Sequence, residues 1–232
     1  MNYVVSKIAL KRRSELVEPP EKLYIHESFL MNLGAEDFSA AFRAIHHFFY
    51  ELLSDIAKRP EESEENGTTV WPFYLLLYLF ANGKTESGVF TMDVPSFRKA
   101  NKGTKTVKHC ENYLKILSEY GFVFEGLKNY KIPNNAETFT IEFPNMSAVV
   151  DVLHLVAEKC YKYRDFYSIA LFFTWNYRLI THTRNEMAFE GHELLADGLK
   201  NKTEKEFVFR FHEAMKENGF VCKKSKGMAT VS

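Results

Sequence analysis

The chain has 232 residues, 15% of them aromatic and 26% charged, with 30 basic side chains against 30 acidic ones. Such a composition excludes a disordered or low-complexity chain and leaves room for one large domain or two smaller ones. A formal net charge of zero excludes a uniformly basic nucleic-acid binder, so attraction to nucleic acid has to come from a local patch. The three cysteines, Cys110, Cys160 and Cys222, lie far apart without a Cys-x-x-Cys, which speaks against a disulfide framework or a zinc site.

Residues 1–30 hold two β-prone runs, Tyr3-Val-Val5 and Leu23-Tyr-Ile25, around Pro19-Pro20, and read as an irregular arm or a small hairpin. The opening residues lack the apolar core of a secretion signal, and the greasiest runs, 70–81 and 167–175, are shorter than the roughly 20 residues of a membrane span, so a cytoplasmic location is expected. Over 36–59, Phe38, Phe42, Ile45, Phe49, Leu52 and Ile56 alternate spacings of four and three. This predicts an amphipathic helix whose stripe, widened by Phe48 and Leu53, suits a core; the sharper alternative is a homodimer seam. His46-His47 has no His-Glu-x-x-His around it, and no metal or cofactor is expected. Residues 58–67 are polar, acidic and turn-prone and read as a linker, after which Trp71 to Phe80 is apolar almost all round, a buried helix stopped by Asn82-Gly83.

The next stretch organises the chain. Gly88 to Met92 is a β-prone run; Asp93 and Pro95 then cap and open a short helix near Val94, which Asn101-Lys-Gly103 closes. Thr104 or Thr106 caps a second helix with Val107, Cys110, Leu114 and Leu117 on one stripe. Gly121 ends it, Phe122-Val-Phe124 continues as a strand, a polar turn follows at 126–129, and Thr138 to Phe143 alternates as a last strand. Left outside the stripe are Lys105, Thr106, Lys108, His109, Asn112 and Lys115, all able to reach phosphates or base edges, with Lys128 and Lys131 on the hairpin. From 93 to 133 there are eight lysines and arginines against four carboxylates, whereas 1–92 carries nine against thirteen and 134–232 is balanced.

Thr104-Lys-Thr106-Val107-Lys108, Tyr113-Leu114, Leu117 and Glu119-Tyr-Gly121-Phe-Val123 resemble the recognition helix and first wing strand of winged helix-turn-helix transcriptional regulators. The resemblance is at superfamily level and covers about 75 residues when the apolar helix at 71–82 is included. It implies sequence-specific duplex DNA binding, commonly as a dimer, although some members bind protein instead. This chain departs from that pattern in a wing tip with two lysines and no arginine, which weakens a minor-groove role for the wing.

Beyond Pro144, helices are expected from Asn145-Met-Ser147 to Cys160, over 166–180, over 186–199, and from the capping box Thr203-Glu-Lys-Glu206 to Asn218. Glu217-Asn-Gly-Phe-Val221 echoes Glu119-Tyr-Gly-Phe-Val123, and a turn at 223–227 precedes Met228 to Val231. The expected class is therefore α+β, predominantly helical: an arm and amphipathic helix at 1–66, a winged-helix domain at 67–144, and a helical C-terminal domain at 145–232 ending in a short hairpin, with a second winged-helix-like unit as the alternative reading of that domain. The leading functional expectation is a DNA-binding transcriptional regulator that reads a duplex with the helix at 105–120. The alternatives are a replication initiator of plasmid type with tandem winged helices, or a non-catalytic protein-interaction module. Phosphate-binding glycine loops, the Gly-x-Ser-x-Gly elbow and paired metal ligands are absent from the sequence, so no enzyme is expected.

Overall fold

The computed structural model describes residues 2–30, 33–58, 72–100, 102, 110–163, 171–181, 201–219, 222–225 and 228–231. In chain order the elements are α1 (Asn2–Glu15), a 3-10 turn at Glu27–Phe29, α2 (Ala35–Lys58), α3 (Pro72–Phe80), β1 (Gly83–Glu86), β2 (Val89–Asp93), α4 (Val94–Ala100), α5 (Cys110–Glu119), β3 (Val123–Glu125), β4 (Thr138–Glu142), α6 (Ala148–Tyr163), the single turn α7 (Arg178–Thr181), α8 (Lys202–Glu217), β5 (Cys222–Ser225) and β6 (Met228–Val231). The fold is α+β and mostly helical. It divides into two compact units, Met1–Thr181 and His182–Ser232. The division falls at 181 and not near 144 because α6 packs on α2, α3, β1 and β2, which binds it to everything before it.

The N-terminus is a helix, not the irregular arm or hairpin that Tyr3-Val-Val5 suggests. Tertiary contact overrides the local β preference here. Along α2, Ala9 is fully buried, Ser6 Oγ donates to the Ala57 carbonyl at 2.6 Å, and Arg13 reaches Ser54 Oγ at 3.2 Å. Lys11 and Arg12 both approach Glu15, at 3.9 and 2.9 Å, and Arg12 and Arg13 sit in the last turn, where the helix dipole favours cations.

All six residues of the α2 stripe are buried. Trp175 stacks on Phe42 at 4.7 Å, meets Phe49 edge-on at 5.2 Å and donates its indole N–H to the Phe42 carbonyl at 2.8 Å. The surface that could have been a homodimer seam is thus consumed inside one chain. Trp175 also corrects the helix expected over 166–180. Residues 171–173 are helical, but Trp175 takes a left-handed φ of +43°, with its N–H on the Phe172 carbonyl and the Asn176 N–H on the Leu171 carbonyl. This is a helix stop in which tryptophan occupies the usual glycine position, a strain of about 1–3 kcal/mol offset by burying the whole indole. The Asn176 carboxamide then caps α7 by accepting the Arg178 N–H at 3.0 Å. The helix expected at 186–199 lies outside the described residues.

The sheet is antiparallel throughout, in the order β1-β2-β4-β3. β1 fills the stretch between the helix stop at Asn82-Gly83 and the β-prone run from Gly88. Ser87 and Gly88, with φ of +53° and +79°, form the two-residue turn that suits the twist of a hairpin, and Glu86 pairs with Val89 across it. Asp151 of α6 holds that hairpin, accepting from the Thr85 hydroxyl and the Gly88 N–H. In the second unit, α8 is capped by Asn201, whose side chain accepts the Thr203 N–H at 2.9 Å, so the helix starts one residue before the expected Thr203. It stops at Gly219, φ +81°, and β5 and β6 pair with Cys222 opposite Val231.

Two expectations follow. A Cβ on Gly88 would lie 2.4 Å from the Ser147 Cβ at a φ reserved for glycine, so Gly88→Ala should lower unfolding free energy by about 2 kcal/mol or more in urea titrations. Burial raises the Asp151 carboxyl above its ordinary 3.8, with the Thr85 hydroxyl, His154 and the Gly88 N–H opposing. Its folded form therefore holds the proton more tightly; the associated stability is complete below 3.8 and is lost as pH rises through the folded value. Asp151→Asn should gain stability relative to the wild type between pH 3.5 and 6, measured by thermal melts across that range.

Candidate nucleic-acid interface

The central segment builds a helix, a turn and a hairpin held to one another by named contacts. α4 begins where Asp93 Oδ1 accepts the Ser96 N–H at 2.8 Å, with Pro95 in the first turn. α5 buries Cys110, Tyr113, Leu114 and Leu117. Burial pushes the Cys110 thiol up to about 12, so that sulfur is a packing group and no nucleophile. The helix closes with the Phe122 N–H on the Leu117 carbonyl at 3.2 Å and the Gly121 N–H on the Ser118 carbonyl at 3.2 Å, around Gly121 at φ +97°. The chain reverses there and enters β3. Tyr120 OH donates to Asp55 Oδ2 at 2.7 Å, and Phe48 meets the rings of Tyr120 and Phe122, so α2 braces this reversal.

Between β3 and β4 the connection has its own tip. Lys128 and Lys131 exchange both backbone bonds at 3.0 Å around Asn129 and Tyr130, which take φ of +52° and +61°. Tyrosine is ill-suited to that region, and its hydroxyl is held by Ser118 Oγ of α5 at 3.0 Å. Lys131 Nζ lies 3.4 Å from Glu111 Oε2 at the other end of α5. Arg98 of α4 fixes the return leg, donating to the carbonyls of Asn134, Ile132 and Pro133 at 2.6, 3.3 and 2.8 Å.

Of the site residues expected from sequence, Lys115, Lys128 and Lys131 are exposed and Asn112 is half-buried. Lys105, Thr106, Lys108 and His109 lie outside the described residues, as do Val107 and the caps Thr104 and Thr106. The exposed face of α5 itself carries Glu111, Lys115 and Glu119. Among the described residues that face therefore holds one lysine against two carboxylates. Sequence reasoning missed Arg98 as the clamp of the return leg, and no pattern announces it, because its partners are main-chain carbonyls. It also missed the Glu111–Lys131 pair.

His46 of α2 is buried and its pKa is lowered, chiefly by desolvation, while its neighbour His47 is exposed. Among the described residues no group of three or more His, Cys, Asp or Glu is placed to hold a metal, and no helix is long and apolar enough to cross a membrane. No protein-family model matches the chain, and comparison with curated proteins and with solved structures gives no match.

Arg98→Ala should release residues 132–134. Backbone amide exchange across 126–137 is expected to quicken, and stability should fall by about 1 kcal/mol, because the bonds are partly solvent-screened. Unchanged exchange there would mean that the tip holds itself.

Proposed function

We propose that this chain is a DNA-binding protein of the winged helix-turn-helix type, acting as a transcriptional regulator that reads duplex DNA with the helix over 105–120. The observation that carries the reading is the order helix α3, hairpin β1-β2, helices α4 and α5, then strands β3 and β4, with β2 paired to β4 so that β4 lies between β2 and β3. That arrangement leaves one helix with a buried aliphatic side and an opposite side available to a major groove, and sets a lysine-bearing turn beside it. Lys105, Thr106, Lys108, His109, Asn112 and Lys115 contact the groove and its phosphates; Lys128 and Lys131 touch the flanking backbone. The local excess of four positive charges over 93–133, on a chain that is neutral overall, supports a patch-driven and salt-sensitive association.

One observation favours a second reading, a tandem arrangement of the kind found in plasmid replication initiators. Both Glu-x-Gly-Phe-Val sequences end a helix on a left-handed glycine, Gly121 and Gly219, and both are followed by an antiparallel strand pair. A fluorescence-anisotropy titration against a mixed-sequence duplex separates these readings from a module without DNA affinity. Affinity should fall steeply between 50 and 200 mM salt, and Lys108→Glu should weaken binding about tenfold while flattening the salt slope by roughly one. Absence of binding at low salt, or a variant indistinguishable from wild type, overturns the assignment.

A further inference from the structure

On the solvent side of the sheet, the turn after α3, the start of α4 and the first residues of β4 border an open cavity of about 620 Å³, a size that small-molecule sites share. Its floor follows from the strand register. Lys84 of β1 pairs with Thr91 of β2, and Asp93 of β2 pairs with Thr138 of β4, so these four residues share one face while Phe90, Met92 and Phe139 turn to the buried side. Ser96 and Glu137 complete the rim.

Main-chain bonds set this frame. The Asp93 N–H donates to the Asn82 carbonyl and the Val94 N–H to the Glu137 carbonyl, both at 3.0 Å, which ties the three segments together. The Asn82 side chain is engaged by the Tyr78 carbonyl at 2.6 Å, and Asp93 Oδ1 by the Ser96 N–H at 2.8 Å. The charges are not engaged. Among the described residues Lys84 pairs with no carboxylate, the Glu137 carboxylate has no partner, and Asp93 Oδ2 accepts nothing. One ammonium and two carboxylates kept apart around one concavity, with the hydroxyls of Thr91, Ser96 and Thr138 among them, match a ligand that carries both signs and one more positive group than negative.

We propose that this cavity binds a free basic amino acid of the lysine, ornithine or arginine type. The ligand carboxylate meets the Lys84 ammonium, its two cationic groups meet Asp93 and Glu137, and its methylene chain lies along Ala81 and Pro95. Every charge on either side is then matched. Binding is non-covalent, and the assignment stands independently of DNA binding.

Isothermal titration calorimetry on the full chain without DNA tests it, with L-lysine as the probe. Cadaverine, which lacks the carboxylate, and norleucine, which lacks the second cation, are the controls. L-lysine should bind saturably, and each control about tenfold more weakly, since each forfeits one charge-assisted contact. Lys84 and Glu137 are exposed, so their substitution leaves the core intact. Lys84→Met should weaken L-lysine about tenfold and leave cadaverine unchanged, whereas Glu137→Gln should weaken both ligands severalfold. Lack of saturable heat with L-lysine overturns the proposal; so does cadaverine binding as tightly as L-lysine, or a Lys84→Met chain with undiminished affinity for L-lysine.

Discussion

The packing of α2 around Trp175 is the constraint from which the first unit follows. Tryptophan in a left-handed conformation is costly, and it persists because Phe42, Phe49 and Phe172 surround its ring and the Phe42 carbonyl takes its N–H. The same helix presents Phe49 to Phe73 at the start of α3 and Phe48 to Phe122 at the entrance of β3. One element thus positions both the first helix of the central segment and the reversal that ends α5. This is why the strongest periodic stripe in the chain is a core and not an intermolecular seam.

The charge distribution acts on top of that frame. A chain with equal numbers of basic and acidic groups gains no long-range attraction to a polyanion, so position matters more than number. On α5 the exposed carboxylates Glu111 and Glu119 flank Lys115, and one of them is partly neutralised by Lys131. Under the DNA-binding reading proposed above, a phosphate contact by Lys131 would compete with Glu111. The pair is exposed, and exposed pairs are worth only about 0–1 kcal/mol, so exchanging a carboxylate for a phosphate costs little.

Much of the central segment was legible because its signals are local. Asp93 and Pro95 mark the start of α4, Gly121 marks the end of α5, and the alternation from Thr138 marks β4; each acts through its own backbone or immediate neighbours. What failed depended on partners distant in sequence. Tyr3-Val-Val5 is β-prone until α2 is present to pack α1, and the helix through 166–180 looks continuous until Trp175 finds Phe42. β1 was legible in principle, since Ser87-Gly88 is turn chemistry, but Gly83-Lys-Thr-Glu86 has no apolar alternation to mark it as an edge strand. The hydrogen bond from Lys159 to Ser28 could not be read at all, because the two residues are 131 positions apart.

Arg98 shows how the hairpin is made rigid without a core of its own. The 126–137 connection is too polar to be held by burial, and a free loop of that length would have to be ordered on binding, at a cost taken from affinity. Three carbonyls gathered by one guanidinium, a tyrosine hydroxyl on Ser118 and a closed turn between Lys128 and Lys131 meet that cost during folding instead. The strain in Tyr130 belongs to the same arrangement: an asparagine-glycine tip would close the turn more cheaply, but it would have no hydroxyl to fasten the tip to α5. The tip lysines are thereby held at a fixed offset from α5, and under the DNA-binding reading proposed above such a fixed offset is what matching a groove and its flanking phosphates would require.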